Sequence, residues 1–177
     1  MRIGIDISQT AYGQTGVSNY LLSLVSELAK QTGNELVLFF SSLRREVPNE
    51  ILFLAKDNKR VIIKRFRYPP SVLNLMWNRL HIMPVDRLIG EVDFFITSDW
   101  TEPPLASGKK ATILYDLIVY KYPKETAKSI IEVQKKKLSW VKKESDVVFC
   151  ISESTKNDAQ DILSIPEKKL RVIYPGI

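Results

Sequence analysis

The chain is short of the residues that most catalytic and structural devices require. It has one cysteine, Cys150, so no internal disulfide can form, and the apolar run Val147-Val148-Phe149-Cys150-Ile151 around it reads as a buried strand and not as a reactive thiol. It has one histidine, His81. With no second histidine and no cysteine pair a zinc site is not expected, and a Ser-His-Asp triad has no G-x-S-x-G turn to carry its nucleophile. No uninterrupted apolar run exceeds five residues, as in Leu36-Val37-Leu38-Phe39-Phe40, which excludes a membrane-spanning helix from these 177 residues. Neither G-x-x-x-x-G-K-[ST] nor G-x-G-x-x-G occurs. Met1-Arg2 leads directly into an alternating strand containing Asp6, so no cleaved leader is expected and the location reads as cytoplasmic.

What is present begins at Arg2. Ile3, Ile5 and Ile7 alternate with Arg2, Gly4 and Asp6, the period of a strand. The loop from Ser8 to Gly16 follows, and Val17, Leu21, Leu24 and Leu28 then recur with the period of a helix. Strand, glycine-bearing turn and helix make the entrance to a βαβ unit, and ligands in open α/β sheets sit beyond the carboxyl ends of the strands. Gly13 and Gly16 therefore line any active cleft on this reading. On the plainer one, Gly13 supplies a positive φ and Gly16 opens a helix capped by Thr15.

The alternation continues. Strands are expected at 35–40, 60–64, 92–97, 110–115, 146–151 and 169–174. Helices are expected at 47–55, near 72–80, briefly from Pro84 to Gly90, from about 124 to 144 and from 155 to 163. This predicts an α/β fold, a Rossmann-like three-layer sandwich with a mostly parallel seven-stranded sheet, in one domain over 1–177. Arg65-Phe66-Arg67-Tyr68-Pro69-Pro70 reads as a loop that suits either core packing or a mobile flap. The net charge of +6 is concentrated. Residues 42–68 hold eight Lys or Arg against three Asp or Glu, and residues 121–143 hold eight against two. Lys135-Lys136-Lys137 with Lys142-Lys143 reads either as a solvated helix face or as a surface for anionic lipid or a phosphate-bearing ligand; no nucleic-acid module is present.

Several segments, in order, resemble the amino-terminal half of a retaining glycosyltransferase of the GT-B fold, family 4, its mannosyltransferases most of all. They are Gly16-Val17-Ser18-Asn19-Tyr20, Trp77 with Met83-Pro84, Pro103-Pro104, Tyr115-Asp116-Leu117, Ile151-Ser152-Glu153-Ser154-Thr155, and Val172-Ile173-Tyr174-Pro175-Gly176-Ile177. The resemblance implies that this chain is the acceptor side and that a carboxy-terminal GT-B domain, in cis or in trans, holds a nucleotide-sugar donor. It implies no metal and no other cofactor, a glycan or lipid-linked acceptor, peripheral contact with an anionic membrane, and little activity for this half alone. The catalytic candidates are Asp116 and Tyr115, the latter standing where the family usually has histidine. Gly13, Gly16 and Val17 form the donor-phosphate loop. Asn19, Trp77, Trp100, Thr101, Glu102 and Ser152 form the acceptor side. The alternatives are a non-catalytic sugar- or protein-binding module on a degenerate transferase domain, and an unrelated α/β nucleotide-binding fold.

Overall fold

The computed structural model describes residues 1–13 and 15–175. Gln14 in the first loop, and Gly176 and Ile177 of the terminal Pro-Gly-Ile segment, lie outside the described residues. Seven strands form one sheet in the order β3-β2-β1-β4-β5-β6-β7, and every neighbouring pair is parallel. They are β1 (Arg2–Asp6), β2 (Glu35–Ser41), β3 (Val61–Phe66), β4 (Phe94–Thr97), β5 (Lys109–Leu114), β6 (Val147–Cys150) and β7 (Leu170–Val172). The expected Rossmann-like sandwich is present, and the sheet is wholly parallel.

The helices are α1 (Gly16–Lys30), α2 (Asn49–Asp57), α3 (Pro70–Leu73), α4 (Asp86–Ile89), α5 (Ile118–Lys121), α6 (Lys128–Glu144) and α7 (Glu153–Asp161). On one face α1 and α2 bury Leu21, Val25 and Ile51 against Ile3, Ile5, Leu36 and Leu38. On the other, Val37, Phe39 and Phe95 meet Leu73, Trp77 and Ile89, while Leu114, Val148 and Cys150 meet Leu138, Val141 and Ala159. Thus Leu36 and Leu38 face one core and Val37 and Phe39 the other, which is why β2 reads as an unbroken apolar run. Each fully buried side chain of this size contributes about 1.5–3 kcal/mol. Burial lifts the Cys150 thiol to about 11, as suits a core residue.

Several boundaries differ from the sequence reading. A 3-10 turn, Ser8–Tyr12, occupies the first loop. Of the two readings of the segment 65–70, the structure shows the core packing: Phe66 at the end of β3 stacks between Phe39 and Tyr68 with ring centroids 5.2 and 5.9 Å away. Beyond α3 the backbone widens into a π-helical turn, Asn74–Arg79, closed by Leu80 N donating to Leu75 O at 2.9 Å. The expected helix 124–144 begins only at Lys128, α5 being a separate turn before Pro123.

Gly90 and Gly108 are among the glycines that the geometry demands. Gly90 ends α4 at φ +86, and Gly108 enters β5 at φ +92, where an added Cβ would lie 2.4 Å from Val92 O. Gly108→Ala is therefore expected to lower stability by about 2–3 kcal/mol. An unchanged urea midpoint would show that the β4–β5 connection has room the structure does not display.

Candidate active site

The sheet order reverses direction between β1 and β4, so the loops leaving these strands part and leave a crevice. Four strand ends supply its chemistry. At the end of β1, Asp6 is buried; its Oδ1 accepts from Ser8 N at 2.9 Å, which starts the 3-10 turn. The turn leads to α1, where Thr15 is the expected cap: its Oγ1 accepts from Ser18 N at 3.1 Å. Its carbonyl accepts from Asn19 N at 3.0 Å, which leaves Gly16 and Val17 as the amide donors of the first turn. Gly13 does not supply the expected positive φ. It sits at φ −27, ψ 157, with open space where a Cβ would be, as also at Gly16.

A groove of about 700 Å³ runs between α1 and the ends of β5, β6 and β7. Gly16, Val17, Asn19, Tyr20, Tyr115 and Ile151 are among its walls. A smaller cavity of about 230 Å³ is lined by Asp99, Trp100, Tyr115, Asp116, Gln134 and Lys137, among others. Tyr115 borders both. Its hydroxyl lies 3.3 Å from Ser98 Oγ, and its ring meets Tyr20 edge-on at 5.8 Å. Burial holds the Tyr115 phenol far above its ordinary value; the Ser98 hydroxyl opposes this, and the carboxylates of Asp99 and Asp6 reinforce it. Tyr115 is thus a fixed O–H donor near neutrality, not a proton shuttle. Asp116 is exposed, and one oxygen caps the following turn by accepting from Ile118 N at 3.0 Å.

The structure brings Gly16, Val17, Asn19, Tyr115, Asp116 and Trp100 to these two spaces. It takes others out of the expected acceptor wall. Trp77 is 0% exposed, tilted against Phe39, with Nε1 donating to Met83 O at 3.1 Å; an indole this apolar and this close to β2 goes to the core. Glu102 is also 0% exposed. Its carboxylate accepts from Thr97 Oγ1 at 2.7 Å and Thr112 Oγ1 at 3.0 Å and pairs with Lys110 at 3.2 Å, so no valence faces outward. Thr101 is buried with its hydroxyl 3.5 Å from Asp6 Oδ2. Ser152 spends its hydroxyl capping α7, accepting from Thr155 N at 3.1 Å.

Lys137 also corrects the sequence reading. Grouped with its neighbours as a solvated or lipid-facing lysine, it is 2% exposed and donates from Nζ to Ser98 O at 2.5 Å. Burial pushes its ammonium below the usual value, against the pull of Glu102, Asp99 and Asp6. The signal was available: residues 134, 137, 138 and 141 share one helix face, and Leu138 and Val141 on it are core. Asn78, wholly buried between the π-helical turn and the Trp100 loop, was missed because nothing local marks it. Among the described residues no three His, Cys, Asp or Glu side chains converge as a metal site, and no helix is long and apolar enough to cross a membrane.

Burial raises the carboxyls of Asp6 and Asp99. A group whose pKa is higher folded than unfolded adds stability below its unfolded value and loses it as pH rises through the folded value. Asp6→Asn removes one such group and keeps the oxygen that accepts from Ser8 N. Its unfolding free energy is expected to match or exceed wild type at pH about 8 and to gain less on acidification to about 5. Parallel curves for the two proteins would refute the assignment.

No curated protein sequence matches the chain. Among solved structures, a short-chain dehydrogenase from Oenococcus oeni PSU-1 is similar over 99% of this chain and 80% of its own, at 11% identity and a TM-score of 0.42, a level that says nothing of chemistry. The model of Glycosyltransferase Family 4 matches residues 14–177, from the loop before α1 past β7. With that match spanning nearly all of the sheet and both cavities, the chain belongs to glycosyltransferase family 4.

Proposed function

We propose that this glycosyltransferase-family domain is the acceptor-binding side of a retaining enzyme that moves a sugar from a nucleotide-sugar to a glycan or lipid-linked acceptor. The observation that carries the reading is Tyr115, set at the crevice between the groove under α1 and the cavity holding Asp116 and Trp100. On this reading the amides of Gly16 and Val17, at the positive end of α1, face the charge growing on the departing diphosphate, with Gly13 leaving room for it. Asp116 has one oxygen committed to Ile118 N and a second for an acceptor or sugar hydroxyl. Asn19 and Trp100 contribute a hydrogen-bonding group and a ring for stacking. The donor's nucleotide is gripped by a carboxy-terminal GT-B domain, in cis or in trans. Without that second wall, water enters and orientation is lost, so these residues alone turn over little substrate.

The test joins the chain to a donor-binding domain and follows transfer and anomeric configuration by NMR. Tyr115→Phe and Asp116→Asn are expected to lower kcat by about 10²-fold each, with retention in the wild type. A joined protein that binds sugar without turnover would favour the other reading, a non-catalytic binding module. The Tyr115 phenol, held protonated where the family usually has histidine, is the feature that speaks for that module.

Peripheral contact with an anionic membrane is proposed for the rim after the π-helical turn. Leu75, Leu80, Ile82 and Met83 are exposed beside Arg79, an apolar and cationic pairing suited to an interface. Leu80→Glu with Ile82→Glu is expected to lower cosedimentation with anionic vesicles at least about tenfold. Undiminished binding would remove this rim from the role.

A further inference from the structure

Both ring nitrogens of His81, the chain's one histidine, face oxygens that can only accept. Nδ1 lies 2.8 Å from Trp77 O and Nε2 lies 2.6 Å from Glu144 Oε1. A neutral imidazole carries one N–H and cannot serve both; an imidazolium serves both. The backbone of His81 is left-handed, φ 52, and the ring lies flat on Trp140 at 3.6 Å and 7°. Glu144 is not the proton's holder. Burial would raise its carboxyl, but Lys110, donating to Oε2 at 2.8 Å, and His81 together hold it below its ordinary value.

The groups facing the ring are few. From α6 come Glu144 and Lys143, whose ammonium lies 4.7 Å from the Trp140 ring; from β5 comes Lys110, behind Glu144; Arg79 lies on the preceding turn. What the ring secures is the π-helical turn before it. Trp140 Nε1 donates to Asn78 O at 2.8 Å. The buried Asn78 amide in turn donates to Trp100 O at 2.9 Å and accepts from Glu102 N at 3.0 Å. Trp100 borders the smaller cavity.

We propose that His81 is a proton-operated latch: as an imidazolium it ties the π-helical turn to α6 and, through Asn78, sets the Trp100–Glu102 loop against the smaller cavity. Loss of one ring proton leaves the remaining N–H on the Glu144 carboxylate, the stronger acceptor, so that Nδ1 meets Trp77 O lone pair to lone pair; that contact turns repulsive and loosens the loop. The functional meaning rests on the proposed reading of the Trp100 cavity as a substrate wall; the latch itself does not.

The experiment uses the whole chain without donor or acceptor. Because His81 is the one histidine, the imidazole ¹⁵N spectrum reports it alone from about pH 5 to about pH 9. Expected are a doubly protonated ring at the acid end and one proton lost as pH rises. With the same midpoint, hydrogen-exchange protection factors at 99–102 fall by about tenfold and the Trp100 indole signal shifts. His81→Phe keeps a ring on Trp140 but carries no proton, so its loop is expected to show low protection and no pH step. Glu144→Gln, whose amide can meet either form of the ring, is expected to flatten the step, and it carries the test should His81→Phe fail to fold. A ring neutral throughout, a titration that leaves 99–102 unmoved, or a pH step surviving in His81→Phe would overturn the latch. None of these outcomes bears on glycosyl transfer, and an inactive joined protein would leave the latch standing.

Discussion

A carboxylate buried against a sheet must be met on every side or it destabilises its surroundings, and Glu102, on the loop between β4 and β5, imposes that demand here. The hydroxyl of Thr97 from β4, that of Thr112 from β5 and the ammonium of Lys110 converge on its two oxygens, while its own amide donates to Asn78. Four pieces of backbone are thereby held to one point. The loop that follows β4 cannot leave without stranding a charge, which costs several kcal/mol. The rim of the crevice is rigid at its base for this reason, and its outer residues, Trp100 and Asp99, are placed by what lies beneath them.

The frame was legible because burial on both faces writes long apolar strands and amphipathic helices write a period. All seven strands fall where alternation or apolar runs place them, and Thr15 caps the helix that its position suggests. Legibility fell where meaning depends on residues far apart in the chain. Lys137 reads as one of five nearby lysines until Ser98 O and three carboxylates of other elements are known to surround it. Trp77, in a segment that resembles the family, and Glu102, expected beside it on the acceptor side, are both spent on internal contacts that no local pattern announces. A π-helical turn has no compositional signature, so the reach of Asn78 into the β4 loop was invisible.

Two sorts of residue consequently meet at the crevice. One sort is free to touch a ligand: the first-turn amides of α1, Asn19, Asp116 and the edge of Trp100. The other, Asp6, Glu102, Lys110, Lys137 and Asn78, is consumed in holding the first in place. Tyr115 stands between them, its ring in the core against Tyr20 and its hydroxyl near Ser98 at the boundary of both cavities. Membership in family 4 gives this division its context, since positioned strand-end loops on a rigid sheet are how such a domain presents chemistry.

The sheet order has a consequence for how the chain is made. The first three strands pair among themselves, β1 with β2 and β2 with β3, so residues through Phe66 hold three of the seven strands by local crossovers. The crevice waits for β4, because Ile3 meets Phe94 and Ile5 meets Ile96 only after the whole intervening stretch is available. Closing that distant pairing carries the larger loop entropy, and a ribosome delivers it last of the two. Until then β1 presents an unpaired edge to its surroundings, so a nascent chain halted between β3 and β4 is the form most exposed to sticking to its neighbours.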